Sequence, residues 1–268
     1  MEKKYTTQGV AISLLKAVLY FAFWLLLQFI VINFVATALK IKFPSADNYD
    51  LTEMVNGLSL EINIIIGALT VLILALFAKI QKDTLSKRAS IRPYAGGFTF
   101  SLIIMGVATC YAITLIMGLL EMAHVFPQEW IQTQNEAYQD VFAASPFMQF
   151  LSVGFIAPLV EEVLFRGCIL GVLKKEMHPW IAIIISAVLF GVAHGTPIGI
   201  LYATALGILM GWLAVKFNSI VPTLFFHMAY NCTSAYSNGI SLGIAVISIP
   251  ILYFQITSIK NYFRGKKE

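Results

Sequence analysis

Glu161, Glu162 and Arg166 lie in PLVEEVLFRG, residues 158–167, flanked by FMQFLSVGFIAPLV overlapping its start and GCILGVL at its end. The surroundings have the composition of a membrane helix, where a charged side chain near the centre costs about 2.5–3.5 kcal/mol. The three together cost on the order of 8–10 kcal/mol if none finds a partner. Glu162 and Arg166 are four apart, share a helix face and can pair. Glu161 is rotated by about 100° from them and is left over. An ion pair that orients two helices therefore accounts for Glu162 and Arg166 but not for Glu161.

Further polar groups fall at a similar depth. His194 closes the run ISAVLFGVAH, with Phe190 one turn before it, and His227 with Asn231 lies in TLFFHMAYN, one turn apart on one face. At about 1.5 Å per residue, Glu161, His194, His227 and Asn231 all come near the middle of the bilayer on three different spans. Either histidine alone reads as an interhelical hydrogen bond. Two of them, with a spare carboxylate and a carboxamide at one level, read as a site. A carboxylate in apolar surroundings can take a proton from water, and a neutral imidazole can hold that water. An imidazole and a carboxamide can donate to a developing oxyanion. This equipment suits amide hydrolysis with water as the attacking group, since the sequence has neither a GxSxG nor an HExxH pattern.

The elements that must position these groups are membrane helices. Apolar residues make up 59% of the 268 and charged ones 12%, against about 45–50% and about 25% in soluble domains. Mean hydropathy is +0.80. Runs long enough to span fall at about 12–38, 58–79, 98–120, 147–173, 198–216, 219–236 and 240–259, with a shorter one at about 180–194. The fold class expected is all-α, a polytopic bundle of about eight transmembrane helices around a polar cavity. The whole chain, 1–268, reads as one transmembrane domain. Residues 1–146 hold three spans and an outer helix, 147–236 the core spans, and 237–268 the last span and a basic tail. The first run reads as a retained anchor rather than a signal peptide.

Basic loops stay cytoplasmic. Lys82, Lys87, Arg88 and Arg92 against Asp83, then Lys174 and Lys175 against Glu176, then Arg264, Lys266 and Lys267, all fall on one side of an eight-span chain. Asp47, Asp50, Glu53, Glu121, Glu129, Glu136 and Asp140 fall on the other, with Lys40 and Lys42 at its margin. The expectation is a multi-pass protein of the plasma membrane with both termini cytoplasmic. The net charge of +4 then reflects topology, with no nucleic-acid partner implied.

Cys110, Cys168 and Cys232 lie inside spans without CxxC or CxxH spacing and read as small buried hydrophobes. GxxxG spacings at Gly167/Gly171, Gly191/Gly195, Gly195/Gly199 and Gly207/Gly211 read as close helix packing. In PQEWIQTQNEAYQDVF, the residues Trp130, Ile131, Tyr138, Val141 and Phe142 recur near helical spacing among polar ones, which predicts an amphipathic helix on the outer interface.

EEVLFR fits EExxxR, FGVAH fits FxxxH and HMAYN fits HxxxN, in order on successive apolar segments. In these motifs, over about residues 147–236, the chain resembles the CAAX prenyl protease type II and bacteriocin-processing family of intramembrane glutamic endopeptidases. The resemblance implies that Glu161 is the general base, that His194 binds and orients the water, and that His227 and Asn231 form an oxyanion hole. Glu162 and Arg166 would brace the site and Phe190 would pack it. It implies no cofactor, a peptide or protein substrate, with membrane-anchored and lipidated ones among the candidates, and a cavity open towards the cytoplasmic leaflet.

Two other readings stay open. Glu161, His194 and His227 with a water have the composition of a catalytic zinc site. A bacteriocin-immunity or scaffold protein, or a proton-coupled carrier, would use the same groups without proteolysis. A carrier should show paired repeats with broken helices, and the sequence shows no internal repeat.

Overall fold

In hydrocarbon every backbone N–H and C=O must be satisfied within the bundle, so apolar runs of this length have helix as their outlet. The computed structural model describes residues 5–80, 82, 84–92, 94, 96–236 and 242–265, and among them there are helices and turns but no strand. Asp83, Lys266 and Lys267, used in the charge reading, lie outside the described residues, as do the side chains of Arg88 and Asp140.

Among the described residues five helices are long and apolar enough to cross a membrane: Thr7–Lys42, Ser59–Ile80, Thr99–Met122, Pro197–Phe217 and Gly243–Gly265. The other three apolar runs are helical too. Residues 146–176 form one continuous rod, followed by Pro179–Val192 and, later, Val221–Tyr236. The chain is an all-α, integral membrane bundle. Pro179–Val192 has 14 residues, about 21 Å of helix, short of a hydrocarbon core about 30 Å thick. It ends before His194, so the expected run to residue 194 is shortened and this histidine sits in the turn beyond the helix.

Burial orders the helices from outside in. The apolar window of Thr7–Lys42 is 17% buried and that of Pro197–Phe217 is 56%. The first helix is therefore mostly available to lipid, while the segment between residues 146 and 236 forms the interior. Phe165 at the centre of the rod packs edge-on against Phe190, with ring centroids 5.2 Å apart, and against Trp24, 5.9 Å away. Burying rings of this size stabilises the bundle and fixes the rod against its neighbours.

Glycine sets two of the contacts nearest the polar groups. A Cβ on Gly106 would lie 2.3 Å from the Phe226 carbonyl oxygen, so the helix Thr99–Met122 touches the backbone immediately before His227. A Cβ on Gly191 would lie 2.0 Å from Thr204 Oγ1 and 2.8 Å from the Ile200 carbonyl, which draws Pro179–Val192 and Pro197–Phe217 into a close hairpin. Gly195 departs from its expected packing role. It occupies the hairpin turn with φ +73°, a left-handed conformation that glycine adopts without steric cost. Thr196 then caps the next helix, accepting from the Gly199 N–H at 3.0 Å, with Pro197 at the first helical position.

The expected amphipathic helix forms over Gln128–Ala143, and its apolar set divides between the protein and the outside. Trp130 and Phe142 are exposed, at 36% and 56%, whereas Ile131, Gln134, Tyr138 and Val141 are half-buried. Hydrogen bonding decides the face: Tyr138 meets Tyr202 at 2.5 Å between hydroxyls, and Thr196 bonds Gln134.

The alternation of loop charge makes the orientation testable. Cys110 and Cys168 are buried and Cys232 is half-buried, so a membrane-impermeant thiol reagent should report introduced cysteines. Asn135→Cys is expected to label from outside intact cells, and Arg88→Cys only after permeabilisation. The reverse pattern would overturn the arrangement.

Candidate active site

The rod carrying the two glutamates is not uniformly α-helical. Gln149–Ile156 and Glu162–Ile169 have the wider i→i+5 pattern, separated by one α-helical turn, Ala157–Glu161. Wide turns of this kind are frequent at functional sites, and here a proline explains what the first one releases. The Ala157 N–H bonds the Ser152 carbonyl, five residues back. The next donor in that register is residue 158, a proline without an N–H. The Val153 carbonyl is then free to accept from outside, and Asn231 Nδ2 donates to it at 2.9 Å. One amide hydrogen of Asn231 is thereby fixed, while its second hydrogen and its oxygen stay available.

Glu162 is fully buried and accepts from Arg166 Nη1 at 3.0 Å, as the i,i+4 spacing predicts. The same carboxylate oxygen is 3.0 Å from His227 Nδ1. A carboxylate paired to a guanidinium can only accept, so this Nδ1 carries a hydrogen. The other ring nitrogen, Nε2, faces Glu161 Oε2 at 3.5 Å. His227 therefore lies between the two glutamates. The environments of the carboxylates differ: the Glu161 side chain is 20% exposed, that of Glu162 0%. The arrangement has one open and one sealed carboxylate on opposite sides of one imidazole.

Phe190 organises the rest. Its ring is edge-on to His194 and His227, with centroids 4.7 Å and 5.9 Å away. The Arg166 guanidinium lies over it at 4.1 Å, within cation–π range. His194 Nδ1 is 2.9 Å from the Phe190 carbonyl oxygen. That oxygen can only accept, so Nδ1 is the donor and Nε2 of the neutral ring is left with a lone pair. Ser186 on the same helix donates to the Phe165 carbonyl at 2.9 Å, tying the hairpin to the rod.

All seven residues singled out from the sequence thus lie on the rod, on the hairpin and on the Val221–Tyr236 helix. Glu161, Glu162, Arg166, Phe190, His194 and His227 gather around the His227 and Phe190 rings. Asn231 is one turn along from His227, held by Val153. Sequence reasoning missed Tyr202, whose ring is 6.0 Å from His194, and the inward role of Gln134. A tyrosine in LYATALG reads as core, and no spacing signal marks it. Burial pushes the Tyr138 phenol up from its ordinary range, opposed by its bond to Tyr202 and reinforced by the charge of Glu161. The outer helix therefore lies within electrostatic reach of the site. Among the described residues no group of three or more His, Cys, Asp or Glu side chains is placed to hold a metal ion.

Residues 143–233 match the family model described as type II CAAX prenyl endopeptidase Rce1-like. Over this segment the chain is similar to that family. The family that the three motifs resemble is the one whose model matches, and the matched segment holds all seven residues singled out from the sequence. The protein named "Putative membrane peptidase YdiL", from Bacillus subtilis (strain 168), is 28% identical over 220 residues, covering 78% of this chain and 86% of the relative. That similarity extends well beyond the Rce1-like segment, into helices which the motifs leave unmarked. No solved structure matches.

Gln134→Ala combined with Tyr138→Phe removes both hydrogen bonds between the outer helix and the hairpin. At about 0.5–1.5 kcal/mol each, their loss is expected to raise amide exchange across residues 128–143 by about 5- to 140-fold, at 1.4 kcal/mol per tenfold. Unchanged exchange would show that the helix is held by its apolar contacts alone.

Proposed function

We propose that this protein is a membrane peptidase that hydrolyses a peptide bond inside the bilayer with a water activated by Glu161. The observation that carries the reading is the position of His227 between an open and a sealed carboxylate. Glu162, neutralised by Arg166, holds the Nδ1 hydrogen and so sets the ring orientation. Glu161, the more open carboxylate, is the one able to reach a water and take its proton. His194, with its Nδ1 committed to the Phe190 carbonyl, offers Nε2 as an acceptor that orients the same water. The second amide hydrogen of Asn231 supplies a donor for the oxyanion of the tetrahedral intermediate, and His227 Nε2 supplies another when the ring enters the cycle already carrying a proton there, one that it keeps through turnover. The proton taken by Glu161 returns to the leaving amine. The substrate is a peptide or protein segment that enters from the membrane, and the similarity to an endopeptidase family and to a membrane peptidase supports peptide-bond chemistry.

Comparative peptidomics of cells carrying the wild type and Glu161→Gln tests this reading directly. Peptides that disappear in the variant locate the cut, and identical peptide profiles would overturn the proposal. The zinc reading is tested in the same assay: activity lost to a tight chelator and restored by zinc would replace the glutamate mechanism with a metallopeptidase one.

A further inference from the structure

A cavity lies beyond Arg166 along the rod, lined there by Gly167, Cys168 and Gly171 and outside the catalytic group. Its volume is about 610 Å³. Five cations from four parts of the chain line it: Lys16, Lys87, Arg92, Lys174 and Lys175. No carboxylate is among the described lining residues. Glu176, the acid beside Lys175, is turned away against the first turn of Thr7–Lys42, where a Cβ on Gly9 would be 2.5 Å from its Oε2. The negative group goes to a helix N-terminus, where the dipole favours it, and the positive ones stay at the cavity.

The other wall is apolar and continues along two spans. Leu19 and Phe23 line it from the first helix and Leu74 and Phe77 from Ser59–Ile80. Lys16, Leu19 and Phe23 recur at i, i+3 and i+7, so one helix face carries the cation at one end and the apolar slot below it. Leu19 is 57% exposed and Phe77 46%, which leaves the slot open sideways at the level of lipid chains. The geometry points to a site for one anionic phospholipid, its phosphate held among Lys16, Arg92 and Lys174 and an acyl chain lying along the slot. A soluble anion would need the cations but has no use for the slot. A zwitterionic lipid would bring its own cation to a described lining that holds cations and no carboxylate. Arg92 and Lys174 suit phosphate in complementary ways, as a planar fork and as a point charge. Burial, with Arg92 and Lys175 beside it, pushes the Lys174 ammonium below the usual lysine range, a shift that an anion seated there would oppose.

Native mass spectrometry of the detergent-purified full chain tests the site, with phosphatidylglycerol, phosphatidylcholine and inorganic phosphate as probes. Phosphatidylglycerol is expected to be retained as one molecule per chain, above phosphatidylcholine, and not displaced by inorganic phosphate. Arg92→Gln with Lys174→Gln is expected to weaken phosphatidylglycerol retention by about 30-fold, two juxtamembrane cations' worth, without changing phosphatidylcholine. If that variant fails to fold, Lys16→Gln with Leu19→Trp, both at exposed positions, tests the head and the slot together and is expected to lower retention as well. Equal retention of the two lipids, wild-type retention in a folded variant, or displacement by phosphate alone would overturn the proposal.

Discussion

Glu161→Gln is expected to lower cleavage at the site mapped by peptidomics by about 10²–10⁴-fold, the range that a positioned general base contributes. The amide keeps the shape of the carboxylate and loses only its capacity to accept the water's proton. Folding should be nearly untouched, because Glu161 is the more open carboxylate and its ring contact is His227 Nε2 at 3.5 Å, longer than a hydrogen bond. The variant should therefore reach the membrane at wild-type levels and melt within about 1 kcal/mol of the parent, as substitutions outside packed or paired positions do. Retained turnover in a folded Glu161→Gln protein would remove Glu161 from the chemistry and return the choice of base to the histidines.

The division between Glu161 and the Glu162–Arg166 pair was legible in the sequence because it rests on helix periodicity. Four residues bring two side chains together, and the pair is at 3.0 Å. His194 was legible as a residue but not as a turn residue, because an apolar run gives no stop signal until Gly195, whose positive φ is invisible in composition. The sharing of His227 between both glutamates was not legible, since it depends on how the Val221–Tyr236 helix is seated. That seating comes from the close approach at Gly106 and from a carbonyl released by Pro158, which are long-range consequences of single residues. The outer helix shows a different limit. Its helical period was readable, but hydrophobicity alone did not say which of its residues meet the protein: Trp130 and Phe142 stay exposed, while Gln134 is half-buried. In a membrane protein apolar side chains have a second destination in lipid, and Gln134 and Tyr138 turn inward because their hydrogen-bond partners are there.

Glu162→Ala is expected to destabilise the protein by about 3–5 kcal/mol, the usual cost of stranding one member of a buried pair. The loss reaches further than the ion pair. Arg166 keeps its place over Phe190 without its anion, and His227 Nδ1 loses its acceptor. A partial remedy distinguishes the roles of stability and catalysis. Glu162 Oε2 and Arg166 Nη2 are already buried without a hydrogen-bond partner, so the wild-type pair carries a standing desolvation cost. Replacing both groups, Glu162→Leu with Arg166→Met, removes that cost together with the attraction, and buried pairs exchanged for apolar residues are often close to neutral. The double variant is therefore expected to recover at least half of the stability lost by Glu162→Ala, in thermal melts of the detergent-solubilised protein. Its cleavage rate should stay near that of the single variant, because His227 no longer has a carboxylate to fix its tautomer. Recovery of cleavage along with stability would show that the pair serves the fold alone. No recovery of stability would show that Glu162 and Arg166 act separately, each through a partner other than the other.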